Sequence, residues 1–246
     1  MEGVSEADLT VREDPRAIAR YAAAWFVEKL DAGASRVKAV CLSGGATPRH
    51  LYQLLSALPY RNALPWKRIH WFWSDERFVS PADERSNYNM AQHLLLERAP
   101  IPRENVHPIP TRSDTPIAAA AAYEHELRQF YGTSTLAADR PLFDVTFLGV
   151  GQDGHTASLF PGSAVLEERS RWAAAVLDVR PEARVTLTYP ALESSRDVAF
   201  LVTGAAKRTI MRRIFDGAVD VPAARLRPVG RVHWFVDRAA APRHAS

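Results

Sequence analysis

Short apolar segments alternate along the chain with longer segments rich in alanine, and this alternation constrains the fold more than any other feature. Apolar runs predict strands at 36–42, 69–73, 143–150, 172–177, 185–189, 198–202 and 232–236. Helical patterns fall at 17–30, 48–58, about 89–98, 115–131 and 205–215. Strands that alternate with helices favour a mostly parallel sheet with helices on both faces. The sequence therefore predicts an α/β fold.

The organisation of the chain is simple. Residues 100–110 contain four prolines and are predicted to be a connection, and neither a repeat nor a low-complexity linker divides the 246 residues. That length suits one α/β domain with a full core. We therefore expect a single domain spanning 1–246.

Composition and charge disfavour several classes of protein. The net charge is +3 with scattered basic residues, whereas nucleic-acid binders concentrate Lys and Arg on one helix or tail. No stretch reaches the ~18 apolar residues of a membrane span, and the N-terminus lacks the apolar core of a signal peptide. The single cysteine, Cys41, lies in an apolar run and is interpreted as buried rather than nucleophilic. We expect a cytoplasmic protein that binds neither nucleic acid nor membrane.

The position of the functional site follows from the predicted sheet. Ligands of such sheets bind beyond the carboxyl ends of the strands. The segments after Leu42, Trp73, Val150 and Val202 should therefore meet at one site. These segments hold the most unusual residues of the chain.

The first segment is Ser43-Gly44-Gly45-Ala46-Thr47-Pro48. Adjacent glycines let backbone N–H groups approach an oxyanion, and the N-terminus of the following helix adds unpaired donors. Ser43 and Thr47 add hydroxyl groups. A plain tight turn before a helix remains the alternative.

The second segment, Ser74-Asp75-Glu76-Arg77, ends an aromatic strand and is followed in the same loop by Ser86-Asn87. Arg77 can hold a phosphate through its planar guanidinium. Asp75 and Glu76 can bind hydroxyl groups or support a neighbouring residue. A solvated charge cluster is the alternative interpretation.

The third segment runs from Gly149 to Pro161 and includes Gly151-Gln152-Asp153-Gly154-His155. Its Gly-x-Gly-x-x-Gly spacing is that of a dinucleotide fingerprint, but it lies late in the chain and lacks the helix and acidic strand end that should follow. Imidazole titrates near neutrality, so His155 is a candidate general base. The other seven histidines are interpreted as structural or exposed.

Two further basic residues, Arg184 and Lys207, lie at element boundaries near the expected ligand site. The alternative for each is an ordinary surface charge. The dispersed histidines and the single cysteine predict no metal site. A Gly-x-Ser-x-Gly nucleophile motif is also missing from the sequence. Without a metal or a nucleophile motif, the candidate groups for any catalysis are a general base and fixed charges.

Taken together, these segments resemble the 6-phosphogluconolactonase family. The matching stretches occur in the family's order and cover nearly the whole chain: Leu42-Ser43-Gly44-Gly45-Ala46-Thr47-Pro48, Trp73-Ser74-Asp75-Glu76-Arg77-Phe78-Val79, Ser86-Asn87-Tyr88-Asn89, Leu148-Gly149-Val150-Gly151-Gln152-Asp153-Gly154-His155-Thr156-Ala157-Ser158-Leu159-Phe160-Pro161, Arg184-Val185-Thr186-Leu187-Thr188 and Gly204-Ala205-Ala206-Lys207. The run from Asp153 to Pro161 is the most specific. Ala46 departs from the family, where Ser or Thr is common.

The resemblance implies a modified Rossmann-like α/β fold, shared with glucosamine-6-phosphate deaminase and ribose-5-phosphate isomerase. It implies hydrolysis of 6-phospho-D-glucono-1,5-lactone to 6-phospho-D-gluconate in the oxidative pentose phosphate pathway, with no cofactor and no required metal. The base would be His155, with Asp153 orienting either its ring or the loop. Substrate contacts would come from Ser43, Gly44, Gly45, Thr47, Asp75, Glu76, Arg77, Asn87, Gly151, Gly154, Arg184 and Lys207. The donor to the oxyanion is not assigned.

Two alternatives share the implied fold. Glucosamine-6-phosphate deaminases normally continue the Asp-Gly-His triplet with Phe-Asn-Glu-Pro after a small residue, whereas this chain has Ser158-Leu159-Phe160-Pro161 and no acid there. Arg77 also stands where the deaminase has an aromatic residue. A non-catalytic sugar-phosphate sensor would carry a helix-turn-helix, and only one helix fits before the first predicted strand. The oligomeric state is open between a monomer and a weak dimer.

Overall fold

A seven-stranded parallel sheet forms the centre of the computed structural model, which describes residues 9–31, 36–177 and 180–242. The ten strands are β1 (Leu9–Arg12), β2 (Lys38–Leu42), β3 (Ile69–Trp73), β4 (Asp75–Arg77), β5 (Val106–His107), β6 (Phe143–Leu148), β7 (Ala173–Val176), β8 (Arg184–Leu187), β9 (Ser195–Val202) and β10 (Arg231–Asp237). The large sheet has the order β1-β10-β9-β6-β2-β3-β5, and all its pairs are parallel. A smaller antiparallel sheet has the order β4-β8-β7.

Helices connect the strands and cover the sheet. They are α1 (Pro15–Asp31), α2 (Ala46–Leu55), α3 (Tyr60–Ala63), α4 (Asn87–Ala91), α5 (Pro116–Tyr131), α6 (Tyr189–Glu193), α7 (Arg208–Phe215) and α8 (Pro222–Arg225). Every residue of β2 and β6 is buried, as expected for parallel strands covered on both faces. No helix of the described ranges is both long and apolar enough to cross a membrane.

The helix boundaries follow local capping chemistry. Asp14 Oδ1 accepts a hydrogen bond from Ala17 N at 2.7 Å and so caps the first turn of α1. Thr115 caps α5 in the same way, with 3.1 Å between its Oγ1 and Ala118 N. Gly132 ends α5 in the left-handed conformation, at φ 84°. These signals are local, which is why the predicted bounds of both helices lie close to the observed ones.

The core is continuous between the two sheets and is rich in aromatic side chains. Phe200 and Trp234 stack at 4.1 Å on neighbouring strands of the large sheet. Trp172 and Leu187 of the small-sheet region belong to the same buried cluster. Cys41 is also buried there, as the sequence indicated, and burial raises the pKa of its thiol.

The structure corrects the sequence interpretation after Trp73. Residues 75–77 are not part of a loop but form β4, the edge of the small sheet. Ser74 links the two sheets through its backbone. Its N–H donates to Leu42 O of β2 at 2.8 Å, and its carbonyl accepts a hydrogen bond from Leu187 N of β8 at 2.7 Å. The segments predicted at 172–177 and 185–189 are likewise antiparallel strands of this second sheet.

Several short elements were not predicted. The connection 100–110 contains the two-residue strand β5, and β1, α3, α6 and α8 had no sequence assignment. The helix expected at about 89–98 is α4 followed by a π-helical stretch over Gln92–Leu96. The helix expected at 205–215 begins with a 3-10 turn, Ala205–Lys207, before α7.

Candidate active site

A cavity of about 320 Å³ lies beyond the carboxyl ends of β2, β6 and β9 and beside the small sheet. All four segments that the sequence placed at one site contribute to it. The residues that line it are Ser43, Gly44, Gly45, Ala46, Thr47, Pro48, Asp75, Arg77, Asn87, Gly149, Val150, Gly151, His155, Ala157, Arg184, Leu201, Val202, Thr203 and Lys207. Its size is in the ordinary range for a small-molecule site.

The loop after β2 presents main-chain donors to this cavity. Gly45 precedes α2 at φ 109°, and no side chain of the described residues caps that helix. The N–H groups of its first turn are therefore available to an anion. Gly44 is required for close packing, because a Cβ there would lie 1.8 Å from Asn87 Oδ1.

Two hydroxyl groups accompany this loop. Ser43 Oγ is buried and has no hydrogen-bond partner among the described residues. Thr47 Oγ1 lies 2.8 Å from Thr203 Oγ1, which links the loop after β2 to the end of β9. The unpartnered Ser43 hydroxyl is a polar atom that a bound ligand can satisfy.

Arg77 and Arg184 lie side by side on neighbouring strands of the small sheet. They are directly paired in the antiparallel register of β4 and β8, a position where like charges are destabilising. The Nε atoms of both are buried without a hydrogen-bond partner in the described part of the chain. Burial, and next the charge of Arg77, lowers the pKa of Arg184. A bound anion would relieve both the repulsion and the unmet hydrogen bonds.

Lys207 supplies a third cation from the segment after β9. It is partly buried, and burial lowers its pKa while the charge of Asp153 acts in the opposite direction. Asp75 is the one acidic residue among the described residues that line the cavity. The cavity thus carries an excess of positive charge, which favours an anionic ligand.

His155 lies at the same cavity and is held by Asp153. Asp153 Oδ1 is 2.5 Å from His155 Nδ1 and accepts a second hydrogen bond from the His155 backbone N–H at 3.2 Å. Burial raises the pKa of Asp153, but its hydrogen bonds with His155 and the charges of His155 and Arg180 leave it below its usual value. An ionised Asp153 bonded to Nδ1 places the ring proton there and leaves Nε2 as the acceptor.

Glycine makes this histidine loop possible. Gly154 adopts φ 87°, and its N–H donates to Gly151 O at 3.0 Å. Gly151 N in turn donates to His155 O at 2.8 Å. A Cβ on Gly151 would lie 2.0 Å from His155 Nδ1, so the ring and the backbone are in direct contact there.

Comparison with known proteins gives the chain a family. The family model described as "Glucosamine-6-phosphate isomerases/6-phosphogluconolactonase" matches residues 13–234. The chain belongs to this family. A relative from Nostoc sp. named 6-phosphogluconolactonase is 40% identical over 204 residues, which is 82% of each chain. Another of that name, from Streptomyces coelicolor, is 38% identical over 244 residues, covering 95% of this chain and 93% of the relative.

Solved structures of the family agree with the fold. The chain resembles a structure described as "6-phosphogluconolactonase from Trypanosoma cruzi" with a TM-score of 0.84, 29% identity and 97% coverage of both chains. A monomeric glucosamine-6-phosphate deaminase has a TM-score of 0.79 at 20% identity, a likeness that concerns the fold alone. The α/β fold with a mostly parallel sheet is therefore confirmed.

In this member of the family, three of the predicted site residues do not line the cavity: Asp153, Gly154 and Glu76. The first two act through their neighbours. Asp153 binds the ring of His155, and a Cβ on Gly154 would lie 2.6 Å from Val221 Cγ1. The sequence predicted that Asp153 orients the His155 ring or its loop and that Gly154 contacts substrate. In the structure Asp153 binds the ring, and Gly154 packs inside the protein.

Glu76 is buried behind the cavity and organises the loop that carries Asn87. Its carboxylate accepts hydrogen bonds from Arg77 N, Asn87 N, Tyr88 N and Ser86 Oγ at 2.7–2.8 Å. Burial raises the pKa of Glu76, and these hydrogen bonds offset that rise only in part. Because all of these bonds are internal, its position does not fit the predicted substrate contact.

Sequence reasoning missed three side chains that support the site. Thr203 lines the cavity and bonds Thr47. Ser158 donates to Asp75 Oδ2 at 2.6 Å, and Arg180 donates to Asp153 Oδ2 at 2.7 Å. Ser158 lies within the family-specific run, which is a usable signal. Nothing in the sequence around Arg180 indicates its partner.

Proposed function

We propose that this chain hydrolyses 6-phospho-D-glucono-1,5-lactone to 6-phospho-D-gluconate. The observation that carries the proposal is that one cavity joins a carboxylate-held histidine to three cationic side chains, Arg77, Arg184 and Lys207. A phosphorylated lactone needs both features, since its phosphate requires cations and its ester requires an activated water. The name 6-phosphogluconolactonase that the relatives carry supports the same substrate.

The proposed reaction uses His155 as the general base. Nε2 takes a proton from a water as the water oxygen bonds to the lactone carbonyl carbon. The tetrahedral intermediate then collapses, the bond from that carbon to the ring oxygen breaks, and the ring oxygen takes the proton from the imidazolium. Asp153 stabilises the imidazolium while it exists. A positioned base contributes about 10²–10⁴-fold to the rate.

The decisive experiment for the substrate compares phosphorylated with unphosphorylated lactone, corrected for spontaneous opening. Each lost charge-assisted hydrogen bond costs about 1.5–3 kcal/mol, or about 10- to 150-fold. Arg77→Ala and Lys207→Ala should lower kcat/KM for the phosphorylated lactone by factors in that range. Neither should much change the low activity on gluconolactone. Equal efficiency of the unaltered protein on both lactones would refute the proposal.

The test of the base is His155→Asn, which keeps the polarity of the side chain and removes its basicity. We expect kcat to fall by about 10²–10⁴-fold, while binding of 6-phosphogluconate persists. In the unaltered protein the rate should fall at acid pH, because a protonated imidazole cannot accept a proton from water. Near-normal kcat in His155→Asn would move the role of base to an acid such as Asp75.

We also propose that the reaction requires no metal. The described residues contain no group of three or more His, Cys, Asp or Glu side chains arranged to hold a metal ion. Prolonged dialysis against EDTA should leave kcat unchanged. Loss of activity that a particular divalent cation restores would overturn this mechanism. A cytoplasmic setting remains the expectation from the sequence.

A further inference from the structure

Arg180 lies outside the cavity, in the connection between β7 and β8, yet it touches the residue that holds His155. Its Nη2 donates to Asp153 Oδ2 at 2.7 Å, and its guanidinium carbon lies 4.6 Å from the centroid of the Phe160 ring. The His155 ring packs on the same phenyl ring at 4.7 Å. Arg180 and His155 therefore share two partners, Asp153 and Phe160, in one closed cluster.

The two oxygens of Asp153 are bound to different groups. Oδ1 is occupied by the ring and backbone N–H groups of His155, and Oδ2 by Arg180. The side chain of Asp153 is 40% exposed, so without the second bond its carboxylate could rotate toward solvent. An exposed ion pair contributes little to stability. The effect of the Arg180–Asp153 pair is instead to fix the orientation of the Asp153 carboxylate, which in turn orients the His155 ring.

We propose that Arg180 is a positioning residue, which fixes Asp153 and through it holds His155 in the geometry for proton transfer. The inference rests on the proposed lactonase function. It assigns Arg180 no contact with substrate, because the side chain does not line the cavity among the described residues.

The experiment measures kcat and KM for 6-phosphogluconolactone across pH in Arg180→Gln and Arg180→Lys. For Arg180→Gln we expect a plateau kcat about 10-fold lower, which is less than loss of the base itself would cause. KM should stay within about twofold, because Arg180 does not line the cavity. Arg180→Lys keeps the positive charge and a hydrogen-bond donor, so its kcat should fall less than that of Arg180→Gln.

Arg213→Gln is the matched control, since it also removes an exposed ion pair, with Asp220 at 2.6 Å, from a residue outside the cavity. It should leave both kcat and KM unchanged. In a His155→Asn background, Arg180→Gln should have no further effect on kcat, because residues that act as a unit are not additive. Melting temperatures verify that each variant is folded.

Two outcomes would overturn the inference. An unchanged kcat in Arg180→Gln would make the pair an ordinary surface contact. A raised KM with normal kcat would instead make Arg180 a substrate-binding residue. Failure of the proposed function would look different, because the unaltered protein would then lack activity on the phosphorylated lactone.

Discussion

Residue size decides whether the His155 loop can form, and Gly151 is the clearest case. An added Cβ would lie 2.0 Å from His155 Nδ1 and 2.4 Å from Asp153 Oδ1, well inside the contact distance of such atoms. Gly151→Ala should therefore displace the pair. A misplacement of about 1 Å can cost about 10²-fold, and we expect a loss of that order in kcat, measured with saturating phosphorylated lactone.

Gln152→Ala provides the control for this prediction from the adjacent position. The Gln152 side chain is exposed and does not line the cavity. The variant should keep kcat within about twofold, since the His155–Asp153 pair is untouched. If Gly151→Ala and Gln152→Ala had the same kcat, close packing against the ring would have no bearing on the chemistry.

The sequence could indicate individual site residues only where the signal is local. His155 stands out because glycines surround it after a strand, and eleven of the fourteen predicted residues line the cavity. Asp75 and Glu76 look alike as a sequence pair, yet one faces the cavity and the other is buried behind it. That difference depends on the pairing of β4 with β8, residues more than 100 positions apart, which no local pattern encodes.

At the scale of elements, Glu76 joins β4 to α4. Its two carboxylate oxygens accept four hydrogen bonds, whereas a glutamine has one acceptor oxygen. Glu76→Gln should leave buried N–H donors unpaired, at a cost of about 1–3 kcal/mol. For a chain of this size that lowers Tm by about 2–4 °C per kcal/mol. The decrease in Tm should be measured by calorimetry.

The exposed residue Glu84 in the same loop serves as the control. Glu84→Gln should change Tm by less than about 1 °C, since exposed substitutions have small effects. Because Asn87 depends on this loop, Glu76→Gln should also raise KM for the lactone. A Tm equal to that of the unaltered protein would mean that the four hydrogen bonds do not hold α4 in place.

Element length explains which parts of the fold the sequence reveals. The long buried segments β3 and β6 were predicted to within two residues, because apolar runs of this kind are distinctive. The edge strands β1, β4 and β5 have two to four residues each and were missed. Such strands exist because a partner strand supplies their hydrogen bonds, so propensity alone does not identify them.

At the scale of the whole molecule, the cavity lies where two sheets meet. Arg77 and Arg184 come from the small sheet, and the loops with Ser43 and His155 follow strands of the large one. Backbone hydrogen bonds of Ser74 connect the sheets, and a single buried cluster includes side chains from both. We propose that residues 1–246 form one domain, in which neither sheet is stable without the other.

This proposal predicts that both sheets open together. In native-state hydrogen exchange, the slowest amides of β8 should exchange with the same free energy as those of β6, because only global unfolding exposes either set. Saturation with 6-phosphogluconate at about 100 times its Kd should raise both values by about 2.7 kcal/mol, since the ligand binds a site built from both sheets. An exposed loop amide, that of Glu84, should not change. If the β8 amides exchanged through a lower-energy opening that the ligand left unaffected, the small sheet would be a separate unit.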